Sequence, residues 1–157
     1  IKYLIRAWEE LEEINHDWKL TIIGNGKYLQ KLKQNSTIEV FDFLQPDELI
    51  KIVKDTGCYI LPSLSEPWGV VVHEFAAAGL PLLLSDRIGS KSSFLIDRYN
   101  GFTFKSRCTS SLKNAIRKII DTNDKKLYKM GKNSHTLSKR ISVKTSVANL
   151  LSSVIDK

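Results

Sequence analysis

Apolar residues at positions 1, 4, 5, 8, 11 and 14 of "IKYLIRAWEELEEI" recur at helical spacing, so the chain is predicted to open in a helix. The pattern then changes. "WKLTIIG" is a continuous β-branched run ending at Gly24 and is predicted as a strand; "NGKYLQKLKQN" follows as a turn and short helix, and "STIEVFDFL" as a second strand. Pro46 opens "PDELIKIVKDTG" as a helix, with acids near its start and Gly57 at its end, as helix-terminus chemistry asks. "CYILPS" is a third strand, "PLLLSD" a fourth, and a small-residue helix lies between them. Beyond Asp86 come a loop, a short helix and, after the Asn100-Gly101 turn, a short last strand. "SSLKNAIRKIIDT", "DKKLYKMGKNSHTLSKR" and "VKTSVANLLSSVIDK" read as amphipathic helices.

Strands that alternate with helices, each strand apolar throughout, imply a parallel sheet covered on both faces. The expected fold is therefore α/β: a Rossmann-like, doubly wound parallel sheet in three layers, spanning residues 1–157 as one domain. In such sheets ligands bind outside the carboxyl ends of the strands. Here that edge is made by the turns at Gly24 to Gly26, Phe43 to Pro46, Ser63 to Gly69 and Ser85 to Ser90.

Composition narrows the classes. The 157 residues are 42% hydrophobic, enough for one sizeable core, and no stretch approaches the roughly eighteen uninterrupted apolar residues of a membrane span. Neither the basic nor the apolar region of a signal peptide is present at the start, so a soluble, cytoplasmic location is expected. Cys58 and Cys108 form no Cys-x-x-Cys pair and have no metal-like spacing with the three histidines, so they are expected to be buried thiols; neither a disulfide nor a metal site is predicted. Charge is uneven. Residues 1–86 hold 8 Lys/Arg against 13 Asp/Glu, a balance of −5, and residues 87–157 hold 16 against 4, a balance of +12. A field of that sign suits an anionic membrane surface, but the basic runs are short and lack interleaved aromatics, which favours solvated lysine faces and argues against nucleic acid. The chain opens on Ile1 with no methionine and no capping residue, which reads as a cut just before or inside a helix of a longer polypeptide.

The chemistry is concentrated in "LPSLSEPWGVVVHEFAAAGLPLLLSD", residues 61–86. Pro67 and Gly69 separate its two acids, placing Glu66 in a loop and Glu74 one turn inside a helix that starts near Gly69 or Val70. The N–H groups of that first turn, from Trp68, Gly69, Val70 and Val71, with the positive end of the dipole, form an anion site suited to a phosphate. Gly69 lets a ligand approach the backbone. Val70, Val71, Val72, Phe75 and Ala76 to Ala78 surround Glu74, so it is expected to be buried. An ionised carboxylate there is costly unless it accepts hydrogen bonds, and the vicinal hydroxyls of a ribose match its two oxygens. Other readings stand beside these. Glu66 suits a solvated loop acid and Glu74 an internal ion pair; His73 suits a satisfied polar residue better than a catalytic one, and Trp68 a core or lid aromatic.

"PSLSEPWGVVVHEFAAAGLPLLLSD" resembles the signature of the retaining glycosyltransferases of family 4, also called group 1: two glutamates separated by seven residues before a small-residue helix and a Gly-x-Pro strand. "LIRAWEELEEINHDWKLTIIGNGKYLQKLK", "VFDFLQPDELIKIVKDTGCYILPS" and "LIDRYNGFTF" resemble further segments of that family, so the likeness covers nearly everything to about residue 120. It implies the C-terminal, donor-binding half of a two-domain GT-B enzyme, lacking its first strand and the N-terminal acceptor domain. By motif position Glu74 would hold the ribose hydroxyls. Glu66, the catalytic candidate, would hold the donor sugar and diphosphate together with the backbone of Trp68, Gly69 and Val70, and the base would lie near Phe43 and Leu44. Three departures stand out: the family's Gly-Arg-x-x-x-x-Lys-Gly stretch would fall upstream of Ile1, Ser93-Phe94 stand where a glutamate is common, and Trp68 replaces a commoner phenylalanine.

The expected activity is thus transfer of a sugar from a nucleotide diphosphate sugar to an acceptor hydroxyl with retention, without metal or other cofactor. The acceptor would be a glycan or glycolipid held by the missing domain, in polysaccharide or lipopolysaccharide assembly, at the inner face of the membrane. By itself this piece is expected to transfer nothing. The alternative is a non-catalytic sugar-nucleotide-binding or interaction module of the same fold; a nucleotide-sugar epimerase is disfavoured by the spacing of Glu66 and Glu74.

Overall fold

The computed structural model describes residues 1–12, 16–26, 32 and 35–141. Helix α1 (Lys2–Glu12) buries Leu4, Ala7, Trp8 and Leu11, the stripe its periodicity requires. Two contacts fix it to the rest: Trp8 Nε1 donates to Thr37 Oγ1 at 3.0 Å, and Glu10 pairs with Lys113 at 2.6 Å. Strands β1 (Leu20–Ile23) and β2 (Ile38–Phe41) run parallel, with Leu20 opposite Ile38. Helix α2 (Pro46–Lys54) starts on proline, and Glu48 Oε2 accepts from the Gln45 N–H at 3.0 Å, satisfying a donor the helix leaves free.

Strands β3 (Tyr59–Leu61), β4 (Leu82–Ser85) and β5 (Gly101–Phe104) form a second parallel ladder in that order. The middle strand has a neighbour on each edge and a helix layer on each face, so Leu82, Leu83 and Leu84 are all 0% exposed. Helix α3 (Val70–Ala77) joins β3 to β4, α4 (Lys91–Phe94) precedes β5, and α5 (Thr109–Ile120) and α6 (Asp124–Ser138) follow. Asn123 caps α6 by accepting from the Lys126 N–H at 3.0 Å.

Two apolar cores lie on opposite faces of the strands. One joins α1 and α5 with Leu20, Ile38, Leu83 and Phe102; the other joins Val72 and Ala76 of α3 with Leu82, Leu84, Ile88 and Phe94. Leu83 faces one core and its two neighbours the other, as strand alternation demands. This is the three-layer α/β arrangement the hydrophobic pattern predicts. Helix α6 reaches both layers: Leu127 and Met130 enter the first core, while its last turns bond to α3. There Gly131 meets the turn after α3 so closely that a Cβ on it would fall 2.1 Å from the Gly79 carbonyl oxygen.

Two expectations need correction. The strands do not form one continuous hydrogen-bonded sheet: β1 pairs with β2, β3 with β4 and β4 with β5, and among the described residues no ladder joins β1 to β3. Cys58 and Cys108, expected to be buried thiols, are half-buried. The predicted helix at 143–157 and most of the short helix near 27–34 lie outside the described residues.

Candidate functional site

At the carboxyl ends of β3 and β4 the two following loops are bonded into one piece. Ser85, fully buried, donates from Oγ to the Ser63 carbonyl at 2.6 Å and accepts from the Arg87 N–H at 3.3 Å. The Glu66 N–H donates to the Arg87 carbonyl at 3.0 Å, the Gly89 N–H to the Glu66 carbonyl at 2.9 Å, and the Ser90 N–H to the Trp68 carbonyl at 3.0 Å. Gly89 is required by this closeness, since a Cβ there would fall 1.9 Å from the Pro67 carbonyl oxygen. The chain enters α3 through Gly69 in the left-handed region at φ 81°, with space for a Cβ only 3.0 Å from Glu66 Cγ.

Helix α3 therefore begins where the sequence places it. Its first carbonyl contact is Val72 N–H to Gly69 at 2.9 Å, and among the described residues the N–H groups of Gly69, Val70 and Val71 donate to no backbone carbonyl. They are the free donors of a helix start, lying beside the half-buried Glu66. Trp68 is 46% and Val70 64% exposed, so both stand at the surface of the turn and Trp68 is not a core aromatic.

Glu74 overturns the expectation of a buried acid: its side chain is exposed. The inward stripe of α3 is Val72 and Ala76, and the helical period turns 70, 74 and 77 outward together. Glu74 is in none of the described ion pairs, so the internal-pair reading finds no support either. The desolvation cost that called for a diol is absent. What remains is an accessible carboxylate one turn along the helix from the free N–H groups.

Tyr59, which the sequence did not single out, links the two acids. Burial pushes its hydroxyl above the ordinary tyrosine value, and the negative charge of Glu74 and then of Glu66 adds to that shift, so both carboxylates lie within electrostatic reach of one phenol. Its ring stacks on Phe75 at 3.9 Å. A polar tip in the otherwise apolar run "CYILPS" was the available signal. His73 is tied into the scaffold: Nε2 donates to the Ser138 carbonyl at 3.0 Å and the ring stacks on Phe94 at 4.7 Å. The structural reading of that residue holds.

Phe43, 71% exposed, and Leu44 lie in the loop between β2 and α2. With Gly24 and Pro62 they border a cavity of about 1120 Å³ that Val71 and Phe75 of α3 also line. Glu66, Trp68, Gly69, Val70 and Glu74 do not line it. The predicted residues thus fall into two groups, and Val71 and Phe75 of α3 lie on the cavity side. Among the described residues no cluster of three His, Cys, Asp or Glu side chains could hold a metal ion.

Comparison with known proteins gives this geometry a context. The family described as glycosyl transferases group 1 matches residues 1–136. An uncharacterised glycosyltransferase of Methanocaldococcus jannaschii is 30% identical over 141 residues, 85% of this chain and 39% of that protein. A glycogen synthase of Mycobacterium tuberculosis is 29% identical over 124 residues, 74% of this chain and 30% of its own length. The chain therefore spans between 30% and 39% of these curated relatives. Among solved structures, Anabaena HepE in complex with UDP superposes with a TM-score of 0.78 at 21% identity, over 97% of this chain and 44% of that one. That likeness is one of fold, the C-terminal domain of a GT-B glycosyltransferase.

Proposed function

Since the chain belongs to the group 1 glycosyl transferases, we propose that it is the donor-binding domain of an enzyme moving a sugar from a nucleotide diphosphate sugar to an acceptor hydroxyl with retention. The observation that carries this reading is the turn at Gly69: free N–H groups of Gly69, Val70 and Val71, set beside Glu66 by a left-handed glycine, at the carboxyl edge of a parallel sheet. Preorganised amides of this kind stabilise the negative charge that develops on a departing diphosphate, and do so without reorganising. Glu66 is assigned to the donor sugar and the reacting centre, with Trp68 and Val70 contributing backbone. Glu74 accepts from the ribose hydroxyls as an exposed carboxylate, and Phe43 and Leu44 flank the base. No metal enters the proposed mechanism. Binding of UDP by the Anabaena neighbour supports a nucleotide in this position.

The acceptor, a glycan or glycolipid, is assigned to polypeptide outside residues 1–157, so this chain alone is expected to bind nucleotide and transfer nothing. Calorimetric titration of UDP and GDP tests the site. Glu74→Ala should weaken binding about tenfold, near 1.4 kcal/mol, the scale of a hydrogen bond to a charged group. Unchanged affinity would remove Glu74 from the site. No binding by the unaltered chain would favour the non-catalytic interaction module.

A further inference from the structure

The amino end of β5 borders a second cavity, of about 360 Å³, lined by Arg98, Phe102, Lys118, Asp121, Thr122 and Lys126. Strands β3, β4 and β5 are parallel, so this end of the ladder is opposite the end at which the turn at Gly69 follows β3. Three elements each bring one cation to it. Arg98 comes from the turn before β5, Lys118 from the last turn of α5 and Lys126 from the first turn of α6. Against them stands one acid, Asp121, whose carboxylate lies 3.6 Å from Arg117 Nε. The lining therefore carries a net charge of +2, three cations less one acid.

These cations are held in place and left with capacity for a ligand. Lys118 Nζ lies 5.2 Å from the centre of the Phe102 ring, which is 7% exposed and gives the cavity an apolar wall. Neither Lys118 nor Lys126 is in any described ion pair. Arg98 meets Asp97 at 3.8 Å, an open contact worth little, which leaves its planar fork available to grip two oxygens at once. The backbone at Arg98 is itself costly. Its φ of 64° is in the left-handed region, where an arginine is uncommon and a glycine would be at ease, and its N–H donates to the Gly101 carbonyl at 2.8 Å. The carbonyls that end α5 would repel an anion if free, yet they are engaged. That of Lys118 accepts from Thr122 Oγ1 at 2.5 Å, that of Arg117 from the Asp121 N–H at 2.8 Å and that of Ile119 from the Thr122 N–H at 3.0 Å. The start of α6 adds the positive end of its dipole.

We propose that this cavity binds a phosphomonoester. Such a group carries about −1.5 to −2 charges at pH 7 and three acceptor oxygens, which answers a lining of +2 and three separate cations. A phosphodiester, with a single charge and two free oxygens, leaves one cation unanswered. The volume is that of a small-molecule site and admits the esterified group beside Phe102. Two sources share this chemistry: a soluble phosphate ester and the headgroup of a lipid that ends in a phosphomonoester.

The test uses the 157-residue chain with glycerol phosphate, followed by amide NMR, and with vesicles of phosphatidic acid or, at matched surface charge, phosphatidylglycerol. For a soluble source, glycerol phosphate should shift the Arg98, Phe102, Thr122 and Lys126 amides saturably while the two vesicles bind alike. For a lipid source, the phosphatidic acid vesicles should bind at least tenfold tighter than the phosphodiester ones. In either arm Arg98→Gly, which also relieves the left-handed backbone, and Lys126→Gln, at an exposed position, should each weaken monoester binding at least tenfold, the scale of a hydrogen bond between charged groups. Lys125→Gln and Lys129→Gln remove the same charge from exposed positions of α6 outside the cavity and should leave binding within about twofold, since screened charge acts weakly at that distance. Vesicles that bind alike together with no saturable shift overturn the proposal. Losses as large in the Lys125 and Lys129 variants overturn it too, and reduce the effect to diffuse charge.

Discussion

At the scale of single residues, the structure separates side chains that build the site from those that hold it. Asn100 is of the second kind. Fully buried, its Oδ1 accepts from the Ile96 N–H at 2.8 Å while Nδ2 donates to the Phe94 carbonyl at 2.8 Å and to Ser134 Oγ at 3.0 Å, so one amide ties α4, the turn before β5 and α6. Asn100→Ala strands those partners in a dry interior and should cost about 2–3 kcal/mol, read from the urea midpoint. The sequence showed an Asn-Gly turn there and nothing of this clasp, because the partner that ties it to α6, Ser134, lies 34 residues along the chain. Tyr59 carries a pH signature. Its folded-state pKa is raised above the unfolded one, so its contribution to stability is complete below the ordinary tyrosine value of 10.0 and is lost as pH rises beyond it. Tyr59→Phe should therefore flatten the fall in urea midpoint above pH 10 without altering its value at pH 7 relative to pH 8. Glu74 shows where legibility ended. Valines and alanines surround it in sequence, but on a short helix with small side chains on every face, hydrophobicity does not say which stripe turns inward.

Elements were legible where their chemistry is local. Pro46 and Glu48 mark the start of α2, Gly69 that of α3 and Asn123 that of α6, each through a bond made within a few residues. Pairing between strands was not local, and the division into two ladders was invisible for that reason: "LTII" and "YIL" have the composition of interior strands whether or not a neighbour lies alongside. The crossing of α3 and α6 was hidden too, since Gly131 reads in sequence as a weak point of its helix. In the structure it is the point of closest approach to Gly79. Gly131→Ala gains up to about 1 kcal/mol of helix propensity, but its methyl group meets backbone that cannot rotate away, at a cost of roughly 1–3 kcal/mol. The net effect should be lower stability by thermal melting, while Lys132→Ala on the exposed neighbouring position leaves Tm nearly unchanged.

For the molecule as a whole, positive charge collects on two helices. Lys118, Lys125, Lys126, Lys129 and Lys132 are exposed on α5 and α6, and Lys132 rests 4.6 Å from the centre of the Tyr128 ring. If that surface meets anionic lipid, as the charge balance of the sequence suits, binding to phosphatidylserine vesicles in a sedimentation assay should fall at least tenfold when salt rises from about 0.05 to 0.5 M, because screening shortens the reach of exposed charge. Neutral vesicles should bind nothing at either salt. The joined loops after β3 and β4 have a practical meaning. Since residues 66–69 and 85–90 exchange three backbone hydrogen bonds and touch at Gly89, neither can be transplanted into a homologous scaffold by itself. Anyone recombining such enzymes to change donor preference would have to move both segments as a single cassette.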